Sequence, residues 1–205
     1  MSVVAVSQRV DVFPELDETR DALDQRLSAF LVSAGLTPVP VPNGLVEAPA
    51  EGGRGTGVLD RWLEAVRPSA LVLSGGNDIG KCPERDSTEQ ALLDHAERRL
   101  LPVLGICRGM QMMAHWAGAN LNAVQGHVKT RHRLDGEISG TVNSYHAYSV
   151  ADCPEGFDVL ARSEDGEIEA IRHDGRRWEG WMWHPEREVG FASCDVRRAR
   201  ALLSA

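Results

Sequence analysis

One cysteine stands in the setting that a thiol nucleophile requires. Cys107 follows the apolar run 102–106, lies between Gly105 and Gly109, and directly precedes a predicted helix. This is the cysteine counterpart of the G-x-S-x-G nucleophile elbow, in which glycines permit a tight turn between strand and helix. The helix N-terminus favours a thiolate, because a free thiol pKa of about 8.5 falls by several units in such settings. A buried cysteine in an ordinary strand-to-helix turn is the alternative.

A base for this thiol is available in the segment WHPE at 183–186, which follows an apolar, tryptophan-rich strand. Residues two apart near a strand end can point to the same side, so Glu186 can hold one ring nitrogen of His184 while the other faces Cys107. Sequence separation is no obstacle, because triads are assembled in space. A lone His-Pro-Glu would be a solvated surface turn. Beside the cysteine elbow it predicts a Cys-His-Glu triad.

The glycine pair Gly75-Gly76, at the end of another predicted strand, is suited to an oxyanion hole. Consecutive glycines let backbone N–H groups point into a cleft, and the N–H of Arg108, the residue after the nucleophile, would be the second donor. Each such donor is typically worth about 10²–10³ in rate. Glycine pairs are also common in plain β-turns, so this motif gains weight only beside the other two.

Strands and helices alternate before Gly118, which predicts right-handed crossovers and a mainly parallel sheet. Short strands separated by turn residues follow, which favours an additional antiparallel meander. We therefore expect an α/β fold, a mainly parallel sheet flanked by helices with a small antiparallel sheet, as one domain over 1–205. The predicted segments are helices at 17–34, 58–66, 87–100, 108–117 and 196–203, a proline-containing edge strand at 37–41, a surface loop at 49–57, and later strands at 141–148, 157–162, 168–173 and 180–183.

Composition excludes several classes of protein. The 205 residues are 42% hydrophobic and 25% charged, as in a globular domain that needs no disulfide or metal to fold. A net charge of -8 argues against a general nucleic-acid binder. No segment approaches the roughly 18 apolar residues that span a bilayer, and the N-terminus lacks the basic start of a signal peptide. The 4 cysteines form no CxxC pair, so we expect reduced thiols in the cytoplasm and no membrane partner.

The histidines do not predict a metal site. The chain has 7 of them, and His127, His132, His146 and His184 fit no HExxH, HxH or CxxC spacing. The chemistry expected of Cys107 needs neither a metal nor another cofactor.

In their order along the chain, the three motifs resemble those of class I glutamine amidotransferases, and more narrowly the hydrolase branch that includes gamma-glutamyl-gamma-aminobutyrate hydrolases. The matching segments are SGGNDIG (74–80), ERDSTE (84–89), PVLGICRGMQ (102–111), VNSYH (142–146), DGEIEAI (165–171) and WHPE (183–186). The resemblance implies a flavodoxin-like sheet and cysteine-dependent cleavage of gamma-glutamyl amides. A further set resembles the gamma-glutamyl-CDP-amidate hydrolases of capsular phosphoramidate biosynthesis: SQRVD (7–11), ETRDALDQ (18–25), VPN (41–43) and WMWHPERE (181–188).

The resemblance also assigns roles to residues. It makes Cys107 the nucleophile, His184 the base and Glu186 its orienting partner, with Gly76 and Arg108 as oxyanion donors. The residues it implies around the glutamyl substrate are Gly75, Asn77, Gln111, Asn143, Ser144, Tyr145 and His146.

Several charged residues outside the three catalytic motifs have two interpretations each. Arg9, Arg20 and Arg187 become candidates for contacting nucleotide phosphates, or they are ordinary surface arginines. The trio Arg85, Asp86 and Glu89 matches a signature of the hydrolase branch and would shape the entrance, or it is a solvated helix N-terminus.

The favoured function is release of glutamate from a gamma-glutamyl amide, with gamma-glutamyl-CDP-amidate as the substrate and CDP-amidate as the product. Gamma-glutamyl-GABA, or another gamma-glutamyl amine, is the alternative substrate. A glutaminase subunit that delivers ammonia to a partner synthase would use the same triad, and a non-catalytic binding protein of the same fold is a third function. The partner implied is a small molecule, a cytidine nucleotide conjugate in the narrow interpretation, and a homodimer is left open.

Overall fold

The computed structural model describes residues 2–50, 53–55 and 57–204, with the backbone alone at 47–50 and 53–55. Over these residues the chain forms strands and five α helices around a nine-stranded central sheet. The strands are β1 (Ser2–Ser7), β2 (Arg9–Phe13), β3 (Glu18–Ala22), β4 (Leu36–Val41), β5 (Glu47–Ala50), β6 (Gly53–Gly55), β7 (Ala70–Leu73), β8 (Val103–Ile106), β9 (Leu121–Ala123), β10 (Val128–Gly136), β11 (Gly140–Tyr145), β12 (Tyr148–Val150), β13 (Phe157–Ser163), β14 (Ile168–His173) and β15 (Trp178–Trp181). The helices are α1 (Gln25–Ser33), α2 (Gly57–Val66), α3 (Pro83–Arg99), α4 (Arg108–Trp116) and α5 (Ser193–Leu203).

Parallel strands form the larger part of the central sheet, in the order β4-β1-β7-β8-β15. The sheet then continues in antiparallel pairs through β14, β13, β10 and β11. Small antiparallel pairs β2–β3, β5–β6 and β9–β12 accompany it. The predicted fold class is confirmed, with the difference that most of the expected meander joins the central sheet.

Helices cover both faces of the sheet, which explains why the central parallel strands β7 and β8 are continuous apolar runs. Helices α1 and α5 pack on one face and α2, α3 and α4 on the other. Strand β1 shows the alternation directly, since Val4 and Val6 join the first apolar cluster and Ala5 joins the second. In the part of the chain that is described, no helix has both the length and the apolar character to cross a membrane.

Three predicted helices begin at the wrong residue, among them the helix predicted at 196–203, which starts at Ser193. The predicted helix at 17–34 starts only at Gln25, where Asp24 caps it by accepting the Arg26 N–H at 2.9 Å. Its first part is instead the exposed strand β3, paired with β2. The helix predicted at 87–100 starts earlier, at Pro83, because proline needs no N–H partner in a first turn.

Other local predictions have mixed outcomes. The proline-containing strand β4 does lie at the edge of the sheet, as predicted. Strand β10 was not predicted, although it is nine residues long. The loop predicted at 49–57 lies partly outside the described residues, and its described backbone forms the pair β5–β6.

Candidate active site

The predicted nucleophile, base and glycine pair follow three neighbouring parallel strands at the point where each strand ends. Cys107 follows β8, and the segments with His184 and Gly75 follow β15 and β7 on either side of it. The strand register brings these ends level, since Ile106 pairs with Trp181. Ligands of open α/β sheets bind outside the carboxyl ends of the strands. The fold therefore gathers the three motifs at the edge where a site is expected.

Cys107 has a strained backbone conformation between β8 and α4, with φ 51° and ψ -107°. Its N–H donates to the Trp181 carbonyl at 2.7 Å, and the residue is only 6% exposed. The flanking glycines make the turn possible. A Cβ on Gly105 would lie 2.6 Å from the carbonyl carbon of Gly109, and one on Gly109 would lie 2.1 Å from the Leu73 carbonyl oxygen. Helix α4 thus rests on β7 and β8 without room for a side chain at either position.

His184 and Glu186 form a buried pair, with Nδ1 of the ring 2.6 Å from Oε1 of the carboxylate. The pair forms within a single turn of 3₁₀ helix, Pro185–Arg187, rather than along an extended strand end. Burial lowers the pKa of His184, but hydrogen bonds with Cys107 and Glu186 and their negative charges outweigh it and raise the pKa to about 9. A protonated imidazole at neutral pH would stabilise negative charge on the Cys107 sulfur.

Gly75 provides the space for this imidazole. A Cβ on Gly75 would lie 2.6 Å from Cε1 of His184. The predicted glycine pair therefore has two separate roles, since Gly75 accommodates the ring while Gly76 has φ 124°, a conformation that side chains rarely adopt.

Asn143 holds the backbone of His184 from both sides. Its Oδ1 accepts the His184 N–H at 3.0 Å, and its Nδ2 donates to the His184 carbonyl at 2.8 Å. Nδ2 also donates to Glu188 at 2.8 Å. The amide thus replaces the strand neighbour that the chain lacks after β15, and the role of Asn143 at a glutamyl group stays a prediction.

Asn77 tethers a second segment in the same way. Its Oδ1 accepts the Val10 N–H and its Nδ2 donates to the Val10 carbonyl, both at 2.8 Å. These bonds dock the β2–β3 hairpin against the glycine pair. As a result Arg9 lies close enough that a Cβ on Gly76 would be 2.8 Å from its Cβ. Asn77, expected to bind substrate, is thus engaged in holding the hairpin that carries Arg9.

A buried charge network lies beneath the glycine pair. Arg85 pairs with Glu89 at 3.0 Å, and Arg108 pairs with both Glu89 and Asp86. Burial lowers the pKa of Arg85 to about 10 and that of Arg108 to about 9, so both remain cationic at neutral pH. Because Arg85 and Glu89 are fully buried, the solvated interpretation of this trio is wrong.

The network orients the peptide groups of the glycine pair. Arg85 Nη2 donates to the carbonyl oxygens of Ser74, at 2.7 Å, and Gly75, at 3.0 Å. The described residues contain no cis peptide bond, so the N–H of each peptide points opposite to its carbonyl. The N–H of Gly76, which shares a peptide with the Gly75 carbonyl, is thereby turned away from Arg85. No sequence signal identified Arg85 as the residue that fixes this orientation.

Three further residues expected at the substrate are engaged with the protein. Nε2 of Gln111 donates to the Tyr148 carbonyl at 2.8 Å, and Oγ of Ser144 donates to the His127 carbonyl at 2.6 Å. His146 lies in a buried group with other histidines, its Nε2 3.2 Å from His127 Nδ1. The motif spacing gave no sign of this group.

The mouth of the site is a narrow cleft whose lining includes Gly75, Gly76, His184, Arg9 and Arg187. The half-exposed Arg9 pairs with Asp11 at 2.7 Å. Beside the cleft, the Tyr145 ring meets His184 edge-on with centroids 5.7 Å apart and carries the Arg187 guanidinium 4.4 Å above it.

Arg20 lies apart from this cleft lining, pairing with Glu18 and covering the Phe13 ring at 4.5 Å. A wider cleft lies between the β10–β11 hairpin and α5, but no described histidine lines it. Among the described residues, the wider cleft therefore offers the exposed Cys194 no histidine.

The sequence model of one family, described as glutamine amidotransferase class-I, matches residues 51–194. The chain belongs to this family. Gamma-glutamyl-CDP-amidate hydrolase of Campylobacter jejuni is 30% identical over 133 residues, 62% of this chain and 66% of that protein. GMP synthase of Leifsonia xyli is 38% identical over 147 residues, but this covers only 27% of that protein. A glutamine-hydrolyzing GMP synthase subunit of Thermococcus kodakarensis is 30% identical over 151 residues, 69% of this chain and 78% of that subunit.

Solved structures share the amidotransferase fold. A putative GMP synthase subunit from Thermoplasma acidophilum matches with a TM-score of 0.73 over 100% of this chain and 94% of that one, at 20% identity. A glutamine amidotransferase from Thermotoga maritima matches with a TM-score of 0.63 over 90% of this chain and 76% of that one, at 18% identity. The resemblance inferred from the motifs is confirmed at the level of family and fold.

Removing the Glu89 carboxylate should strongly destabilise this amidotransferase, because Arg85 and Arg108 would keep buried charges without their shared partner. We expect Glu89→Ala to lower the free energy of unfolding by about 3–5 kcal/mol in urea titrations. Glu84→Ala, on the exposed side of the same helix, is the matched control and should cost less than about 1 kcal/mol. Equal losses in the two variants would contradict a stabilising role for the network.

Glu186→Gln should lower the pKa of His184 from about 9, because an amide puts no negative charge beside Nδ1. The folded pKa exceeds the unfolded value of about 6.5. Protonation of His184 therefore stabilises the fold fully below about pH 6.5, and this contribution is lost as the pH rises through about 9.

The measurement is the free energy of unfolding in urea from about pH 6 to about pH 10. It should fall more steeply with pH in the wild type than in Glu186→Gln. Glu188→Gln, which removes a nearby carboxylate that does not bond the ring, should follow the wild type. The same pH dependence in all three proteins would show that Glu186 does not hold the proton on His184.

Proposed function

We propose that the chain is a cysteine-dependent hydrolase of gamma-glutamyl amides. The observation that carries the proposal is the arrangement of Cys107, His184 and Glu186. The sulfur lies on a strained elbow, and Cys107 and the buried Glu186 carboxylate together raise the pKa of the imidazole. The names of the relatives support it, because "glutamine-hydrolyzing" and "gamma-glutamyl-CDP-amidate hydrolase" both describe cleavage of a gamma-glutamyl amide.

In the first step the Cys107 thiolate attacks the γ-carbonyl carbon, and the carbonyl electrons move onto oxygen. The resulting oxyanion is stabilised by the N–H groups of Gly76 and Arg108. Arg108 is the first residue of α4, so its N–H has no partner within the helix. As the oxyanion collapses the C–N bond breaks, and the leaving nitrogen takes a proton from Nε2 of His184. A γ-glutamyl thioester and a free amine result.

In the second step Nε2 of His184 accepts a proton from water, and the oxygen of that water attacks the thioester carbonyl. The C–S bond then breaks, which restores the thiolate beside a protonated imidazole and releases glutamic acid, which ionises in solution. Glu186 keeps Nδ1 of the ring bonded throughout, so Nε2 alone exchanges protons. General acid–base transfer of this kind contributes about 10²–10⁴ in rate.

The substrate we propose is gamma-glutamyl-CDP-amidate, in which the leaving nitrogen is bonded to the phosphate of a nucleoside diphosphate, CDP. The Campylobacter relative is named for this reaction. Arg9 and Arg187 support it physically, because both residues belong to the lining of the cleft in which the leaving group would lie. A guanidinium binds phosphate oxygens well, and Arg9 can exchange its pairing with Asp11 for such an anion.

A second candidate function is that of a glutaminase subunit whose ammonia is used by a partner synthase. It is favoured by the match to 78% of the Thermococcus GMP synthase subunit, at 30% identity. The catalytic steps would be identical, with ammonia as the leaving amine. A binding protein without catalysis is disfavoured, because all three triad residue types are present and His184 bonds Glu186.

Glutamate release by the purified protein distinguishes these functions. We expect gamma-glutamyl-CDP-amidate to be cleaved with a kcat/KM at least about 10² times that for gamma-glutamyl-GABA or glutamine, since two lost phosphate contacts are worth several kcal/mol. Cys107→Ala should retain less than about 10⁻³ of the rate, whereas Cys194→Ala, at an exposed thiol, should be unchanged.

Other outcomes assign the protein differently. Preference for gamma-glutamyl amines would support the proposed hydrolase activity but contradict a nucleotide-containing substrate. Release only from glutamine, and only with a synthase added, would indicate the glutaminase subunit. Activity that survives in Cys107→Ala would overturn the proposed chemistry.

The two arginines should act on the nucleotide part of the substrate alone. We expect Arg9→Gln and Arg187→Gln each to raise KM for gamma-glutamyl-CDP-amidate about tenfold or more, with kcat and the KM for glutamine little changed. Arg20→Gln, on the same hairpin as Arg9 but outside the cleft lining, is the control. Equal increases of KM for both substrates would mean that the arginines shape the glutamyl pocket instead.

A further inference from the structure

Three histidines and a glutamate meet in the antiparallel half of the central sheet. His127 precedes β10, His132 lies in β10, His146 follows β11 and Glu169 lies in β14. One ligand atom from each lies within 4.8 Å of all the others. Glu169 is fully buried, and His127 and His146 are each 3% exposed. These four residues are called the histidine cluster below.

The spacing of the cluster matches a tetrahedral coordination shell. His146 Nε2 lies 3.2 Å from His127 Nδ1 and 3.2 Å from Glu169 Oε1. His132 Nε2 lies 3.2 Å from Glu169 Oε2, and His127 Nδ1 lies 3.5 Å from Oε1. Ligands bonded to a tetrahedral metal at about 2.0–2.1 Å are themselves about 3.3–3.4 Å apart. The ligand atoms of His127, His146 and Glu169 already have this spacing, and all four ligand atoms lie within 4.8 Å of one another.

The outward partners of two rings favour a proton or a metal ion between them. His127 Nε2 faces the Asp165 carboxylate at 2.8 Å, and His146 Nδ1 faces the Tyr148 carbonyl at 3.0 Å. Both partners are acceptors, so each outward nitrogen carries the hydrogen and each inward nitrogen of a neutral ring carries a lone pair. Those inward nitrogens face each other, and two lone pairs at that distance repel. Ligating histidines typically make such outward bonds to carboxylates and carbonyls.

Glu169 leads to the same conclusion. Both of its oxygens are close to ring nitrogens, yet the angles are not those of hydrogen bonds. Among the described residues neither oxygen, nor His132 Nε2, has a hydrogen-bond partner. A fully buried carboxylate is very costly unless positive charge lies beside it, and here the three ring nitrogens at 3.2–3.5 Å would supply that charge as protonated imidazoles or through a metal ion that they bind. Close approach of these atoms without well-aligned hydrogen bonds is the arrangement expected where ligands converge on a common centre.

We propose that the histidine cluster binds one divalent transition-metal ion, of which Zn²⁺ fits best. Three imidazoles and one carboxylate suit Zn²⁺, whereas Mg²⁺ and Ca²⁺ prefer oxygen ligands. Because the protein supplies all four ligands, the site is structural rather than catalytic. It cross-links the β10–β11 hairpin to β14, and this assignment does not depend on the proposed function.

Zinc binding to the wild-type protein is the direct test. After treatment with a chelator and desalting, the protein should take up about one equivalent of Zn²⁺, measured by mass spectrometry of the metal, and its Tm should rise by several degrees. MgCl₂ should produce neither effect. Co²⁺ should give the intense visible absorption of a tetrahedral complex.

Variants locate the ion. His132→Asn and Glu169→Gln should bind Zn²⁺ at least tenfold more weakly and lose most of the Tm response. Loss of a hydrogen bond to a metal ligand typically costs about 10–100-fold in metal affinity, and each of these variants loses a ligand itself. His115→Asn, an exposed histidine on α4, should behave as wild type. The proposal is overturned if the wild type retains less than about a tenth of an equivalent with no change of Tm, as expected if a proton alone fills the cluster. It is also overturned if His132→Asn binds as tightly as the wild type.

Discussion

The chemistry of this protein depends on how closely helix α4 approaches the sheet. The Cα of Gly109 faces the last carbonyl of β7, that of Leu73, at a distance that leaves no room for a Cβ. Gly109 is two residues after Cys107, and Leu73 is two residues before Gly75. This single contact therefore sets the distance between the elbow and the loop that faces it. A side chain at 109 would move the first turn of α4 outward and separate the Arg108 N–H from that of Gly76.

Beyond the ends of the strands, the main chain has no neighbouring strand to satisfy its N–H and carbonyl groups, and buried groups of this kind must be paired. Side chains supply the partners here. Asn143 hydrogen-bonds the backbone of His184, Asn77 that of Val10, and Arg85 that of the loop after β7. Several polar residues near the cleft are thus engaged with the backbone.

The sequence was informative where a residue type is required by local geometry or by burial on both faces. The apolar runs of β7 and β8, and the glycines around Cys107, predict the strands and the elbow from physical need alone. It was uninformative where partners are distant. Strand β3 is exposed and charged, so no apolar periodicity separates it from α1. Asn143 and Arg85 act on backbone atoms far away in sequence, and no local pattern distinguishes an asparagine that binds substrate from one that binds main chain.

The sequence did not predict the histidine cluster for a related reason, since its members are distant from one another along the chain. The position of the cluster in the sheet is informative. Strand β10 pairs with β13 only over Leu134–Gly136, while its earlier part pairs with β11 through a bulge after Val128. The hairpin formed by β10 and β11 thus extends beyond the hydrogen bonds that join it to the sheet. This same hairpin carries Asn143, which holds His184. Side chains must then anchor it, and the contacts of His127, His132 and His146 with Glu169 on β14 do so. The position of the imidazole beside Cys107 therefore depends on interactions in the half of the sheet that carries none of the three motifs.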